Sequence, residues 1–197
     1  MSTSIASSAP SRVFEHHRLW QLRTSVMLQA CRLLATAAVQ LTSRAHLEAV
    51  SAVIGIAHGG TTPARHIAAR LGLQAHTVRA SHNTTDAPYS PATGTVTCDL
   101  NSWQPTAPTR LAGTVLVVDD ICGSGATFTA VLDVLRPFAE PDTRFLTCAL
   151  CRNRGASTPP DLYCWDVADW VVFPWEDVPA GQPTTPLPPL NQVIIRD

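Results

Sequence analysis

Lysine is absent from the 197 residues. That omission excludes a Walker-type phosphate loop, which closes on Gly-Lys-Ser/Thr and needs the ammonium on the phosphates. Charge is scarce as well: 14 basic residues face 15 acidic ones, and charged residues make up 15% of the chain. A broad basic face for nucleic acid is therefore excluded, although a local arginine patch is not. No apolar run approaches the roughly 20 residues needed to span a bilayer, so no membrane partner is expected. The start, "MSTSIASSAPSR", lacks the basic stretch and long apolar core of a secretory signal. It reads as a Ser-rich disordered tail over residues 1–13. A second CxxC is also missing. Cys148 and Cys151 form a lone pair inside "RFLTCALC", a strand-like segment, and no nearby His run completes a zinc site. Free buried thiols are expected, which suits a reducing, cytoplasmic setting.

The hydrophobic content, 45%, is ample for one core in one domain. "SVMLQACRLLATAAVQL" places Met27, Cys31, Leu34, Ala38 and Leu41 at helical spacing. "AVSAVIGIA" reads as a buried strand that stops at "HGG". "TPARHIAARLGL" is then a short helix, with Thr62 as cap, Pro63 at its first position and Gly72 at its end. "QAHTVRA" and "TVTCDL" read as strands on either side of a long polar loop, Ser81 to Gly94. A loop of that length in a compact domain is commonly a lid. The strand "TVLVVD", the helix "ATFTAVLDVLRPF" and the strand "TRFLTCALC" follow. "DLYCWDVADWVVFPWE" leads into a Pro-rich extension over residues 178–197. Its last apolar residues, Val193 to Ile195, favour docking over a free tail. Alternating strands and helices predict an α/β fold with a mostly parallel sheet, whose ligands bind beyond the carboxyl ends of the strands.

The sharpest signal is "TVLVVDDICGSGATF". Two adjacent carboxylates at the end of a buried strand are costly without a use. The backbone N–H groups from Cys122 to Thr127 can wrap an anion, and the helix starting near Ala126 adds its positive end. Ser124 and Thr127 hydroxyls can donate too. Asp119 and Asp120 would repel a phosphate, so they serve what lies beside it: sugar hydroxyls or Mg²⁺. A dinucleotide fingerprint would need a third glycine near Phe128, and none is there.

These residues resemble the phosphoribosyl-pyrophosphate (PRPP) motif of type I phosphoribosyltransferases. The resemblance implies that Asp119 and Asp120 hold the ribose and, partly through PRPP, Mg²⁺. Cys122, Gly123, Ser124, Gly125, Ala126 and Thr127 would cradle the 5′-phosphate, with Ile121 also in the PRPP site. "VIGIAHGGTTPARHIAARLG" is similar to the pyrophosphate loop of the xanthine/guanine enzymes, which implies that Ala57, His58, Gly59 and Gly60 line the leaving group. A non-proline cis peptide would then fall between Ala57 and His58. The third segment, residues 161–177, looks like the base-binding hood of the xanthine/hypoxanthine branch. Trp170 would stack on the base with the Val171 backbone at the ring edge.

The resemblance spans about Val50 to Glu176 and departs at two positions. Gly123 stands where the oxopurine branch carries an Asp that handles a ring proton. No Lys ends the strand before the hood, which offers Asn153, or Arg152 or Arg154, as the reader of the base; Asn can both donate and accept. The expected fold is type I phosphoribosyltransferase-like over residues 14–177, with a lid at 81–94 that includes Ser81 and Tyr89. The expected activity is transfer of phosphoribose from PRPP to a ring nitrogen of a purine-like nucleobase, with pyrophosphate released. It places the chain in purine salvage, as a cytoplasmic homodimer using Mg²⁺. Two other readings stay open: an enzyme of specialised metabolism with an unusual acceptor, and a non-catalytic PRPP or nucleotide sensor.

Overall fold

A computed structural model describes residues 12–81, 96–99 and 110–196. Two sheets and three α-helices organise them. The seven-stranded sheet is built from β2 (Val50–Ala57), β3 (Ala75–Ser81), β4 (Thr97–Asp99), β5 (Thr114–Cys122), β6 (Arg144–Asn153), β7 (Leu162–Val167) and β10 (Ile194–Ile195), in the order β10-β7-β6-β5-β2-β3-β4. The five inner strands are parallel, and β4 and β10 close the edges antiparallel. β2 and β5 are almost continuous apolar runs because both of their faces are covered.

α1 (Thr24–Arg44) and α2 (Thr61–Leu71) supply the larger core cluster, where Met27, Cys31, Leu34 and Ile67 meet Leu116 and Leu150. α3 (Ala126–Leu135) packs Phe128, Val131 and Leu135 with Ile54, Val115 and Val117 in the second cluster. The predicted faces of α1 are the ones buried, Met27, Cys31, Leu34 and Ala38 among them. At α2 the predicted cap is off by two residues, and Pro63 is the third residue of the helix rather than its first. Thr62 lies inside the helix and Gly60 is its N-cap, because the Ala64 N–H already bonds the Gly60 carbonyl (3.0 Å). Gly72 ends the helix in the left-handed region (φ 72°), as its position predicts.

The smaller sheet is all parallel: β1 (Leu19–Gln21) lies between β8 (Trp170–Val172) and β9 (Thr184–Pro186). It joins three segments remote in sequence. The Pro-rich extension folds back on its own chain. Leu187 and Leu190 are buried, and the Trp165 indole donates to the Pro188 carbonyl (3.0 Å). Arg196 donates to the Pro159 carbonyl and pairs with Asp161 (3.2 Å). All six cysteines are free, and only Cys98 is not buried.

Candidate functional site

The chain leaves β2 for β3 on one side, while β5, β6 and β7 extend on the other. The crevice between the carboxyl ends of β2 and β5 is therefore the topological switch point, where α/β sheets bind ligands. Register puts Gly55 opposite Val118, so the loops after these two strands face each other. β5 runs through both acids to Cys122 and carries them to the mouth of the crevice, half-buried.

The two loops touch with no side chain to spare. A Cβ on Gly59 would overlap the Asp120 carboxylate, and one on Gly60 would overlap the Val118 carbonyl and crowd the Asp119 Cα. The Ala57–His58 peptide is cis, as the resemblance implies, and His58 is exposed. The Asp119 carboxylate accepts from the Asp120 N–H (2.9 Å), and Asp120 accepts from the Ile121 N–H (2.6 Å). Burial and then the charge of Asp120 push the Asp119 carboxyl well above its ordinary range. Burial also raises Asp120, which the charge of Arg12 partly offsets.

Beyond Cys122 the chain turns sharply into α3. Gly125 adopts φ 97°, which only glycine takes readily, and a Cβ there would strike Thr158. Ser124 is buried; its Oγ accepts from the Ala126 N–H (3.3 Å), and its carbonyl accepts from Ser157 Oγ and the Thr158 N–H. Residues 157–158, which the sequence does not flag, thus brace this loop from behind. Burial, with the charge of Asp119 second, pushes the Cys122 thiol up to about 12, so it is no nucleophile.

Trp170 is half-buried on β8, and Val171 is buried beside it, in register with Trp20. Asn153 does something other than what its position suggests. It is fully buried, and its amide is committed within the chain. Oδ1 accepts from the Val13 N–H (2.8 Å) and the Gly155 N–H (2.9 Å), and Nδ2 donates to the Val13 carbonyl (2.9 Å). Arg152 pairs with Asp166 at 2.9 Å, and the exposed Arg154 pairs with Glu15 at 3.4 Å. The residue that does enter the site is Arg12, which composition assigns to the tail with Val13. Its guanidinium lies 5.1 Å from the Trp170 ring centroid and 5.5 Å from that of Phe14. Ser81 ends β3 opposite Thr97. Tyr89 and the rest of the expected lid lie outside the described residues.

This arrangement of strands, crevice and hood is the type I phosphoribosyltransferase-like fold. Residues 27–177 match the phosphoribosyl transferase domain model, and the chain belongs to that family of PRPP-dependent transferases. Similar solved structures include a xanthine-guanine-hypoxanthine phosphoribosyltransferase from Helicobacter pylori, 22% identical with a TM-score of 0.60 over 81% of this chain and 94% of that one. A purine phosphoribosyltransferase from Pyrococcus horikoshii Ot3 is 20% identical, with a TM-score of 0.58 over 82% and 97%. A Neisseria gonorrhoeae protein with bound ppGpp is 22% identical, with a TM-score of 0.55 over 83% and 93%. No curated protein matches.

Proposed function

We propose that the chain transfers phosphoribose from PRPP to a ring nitrogen of a purine-like nucleobase, releasing pyrophosphate. The observation that carries this reading is the paired carboxylate at the end of β5 pressed against the Gly59–Gly60 turn. Sugar and leaving group would thereby be held on opposite walls of one crevice. The amides of Cys122 to Thr127 receive the 5′-phosphate, helped by the start of α3. Asp119 and Asp120 orient the ribose hydroxyls and favour the positive charge that develops on the sugar ring. The His58–Gly60 backbone holds the departing pyrophosphate, and Trp170 stacks on the base.

Two adjacent carboxylates at the mouth of the crevice are hard oxygen donors of the kind a divalent cation takes. Asp119 and Asp120 would hold Mg²⁺ there, and it would supply screening of the charge that builds on pyrophosphate. The same reading places the chain in the cytoplasm as a homodimer serving purine salvage. No described helix is long and apolar enough to cross a membrane.

Calorimetric titration with PRPP, with and without Mg²⁺, tests the reading together with pyrophosphate release in the presence of nucleobases. Magnesium-dependent binding and release with a base support it. Absence of PRPP binding refutes it. Binding without turnover favours the sensor reading instead.

A further inference from the structure

Arg12 reaches the acceptor side of the crevice on a segment that is tied down at several points. The Val13 backbone is held by both ends of the buried Asn153 amide, and the Glu15 N–H bonds the Ala168 carbonyl at 2.7 Å. The Arg12 side chain crosses in front of Gly123. A Cβ at that glycine would sit 3.7 Å from Arg12 Cδ, an ordinary contact. The guanidinium thus stands between the phosphate loop and the Trp170 ring.

One of its donors is not spent on the protein, although the charges of Asp120, Glu176 and Asp119 act on the guanidinium. Nε is buried without a hydrogen-bond partner, and among the described residues Arg12 makes no ion pair within 4 Å. A buried N–H left unpaired is costly, so the position makes sense if a ligand satisfies it. Guanidinium offers only donors, in a planar fork that fits two neighbouring acceptor atoms. In DNA grooves the same fork reads an exocyclic oxygen and the adjacent ring nitrogen of guanine.

Resting on the phosphoribosyltransferase reading above, we infer that Arg12 is the specificity-determining residue for the acceptor. It selects a ring that presents an oxygen, oxo or carboxylate, on the edge facing Gly123, and it rejects a ring that presents an amino group there. Asn153 is a positioning residue: it does not read the ring but fixes the segment that does.

The test is pyrophosphate release from PRPP and Mg²⁺ with hypoxanthine, guanine, xanthine, orotate, nicotinate and adenine offered singly. Wild type, Arg12→Ala and Arg12→Lys are compared, and PRPP affinity is measured by calorimetry. We expect turnover with an oxygen-bearing ring and little with adenine. The ring that reacts distinguishes an oxo from a carboxylate partner. Arg12→Ala should raise KM for that ring by about 10- to 100-fold, the worth of charge-assisted hydrogen bonds, and shrink its preference over adenine. Arg12→Lys should recover part of the loss, having the charge without the fork. A preference for adenine overturns the inference, as does an unchanged KM ratio. Faster turnover in Arg12→Ala overturns it too, because the segment then acts as a plug. Turnover with an unchanged KM ratio refutes this inference alone; PRPP binding with silence across the panel overturns it together with the transferase reading and favours a sensor, and no PRPP binding refutes the PRPP site itself.

Discussion

The contact between the two loops makes Gly59 the most informative single position in the crevice. In Gly59→Ala the added methyl falls on the Asp120 carboxylate, 2.8 Å from Oδ1 and closer still to the other atoms of the group. The opposing group is the end of a side chain, so Asp120 has to swing aside. That movement breaks the 2.6 Å bond from the Ile121 N–H, a charge-assisted bond worth about 1.5–3 kcal/mol. Overpacking of this kind costs about 1–3 kcal/mol in total, and for a chain of this length each kcal/mol shifts Tm by about 2–4 °C. We therefore expect Tm to fall by about 2–12 °C. Catalytic loss should be larger, since a carboxylate displaced by about 1 Å can cost about 100-fold in rate. Gly123→Ala is the matched control: its methyl meets Arg12 Cδ at an ordinary 3.7 Å and should change Tm by less than about 2 °C. Thermal unfolding and kcat/KM for PRPP read both quantities. Equal behaviour of the two variants would refute the idea that the Gly59 contact sets the position of Asp120.

Three further outcomes follow from the same geometry. Asp119→Asn should abolish pyrophosphate release yet raise Tm at neutral pH. The native state holds that carboxyl well above its ordinary range, so it binds the proton more tightly than the unfolded chain does. Stability is then lost as pH rises above the ordinary carboxylate value, and the Asn variant should show a flatter Tm profile above about pH 4; a parallel profile would contradict the assignment. Trp170→Ala should raise the KM of the acceptor about 5- to 150-fold, from about 1–3 kcal/mol of stacking per base, while PRPP affinity by calorimetry holds. Removing residues 187–197 uncovers Trp165 and deletes the buried Leu187 and Leu190, at a cost of about 3–6 kcal/mol that urea unfolding would register.

The parts of the site legible in the sequence are those made by one continuous segment. β5 and its loop declare themselves because four apolar residues, two acids and a run of small residues have few physical uses together. β2 and the Gly59–Gly60 turn are legible for the same reason. The hood is only half legible. Its aromatic strand is visible, but β1, β9 and β10 are two or three residues long and too short to show a period. Arg12 sits in Ser-rich surroundings and carries no local signal at all. Asn153 misleads for a physical reason: the capacity to donate and accept that suits it to a nucleobase also suits it to the N–H and C=O of Val13.

The small sheet joins residues near 20, 171 and 185. Its ladders can close only after chain ends more than a hundred residues apart have met, whereas β5, β6 and β7 are sequential neighbours. Closing long loops costs entropy before any contact returns it. The order of assembly is thereby set by connectivity: the wall that would admit a sugar phosphate is finished first, and the wall that would admit its acceptor is stitched on last. Partly folded chains are then expected to recognise one substrate before they recognise the other.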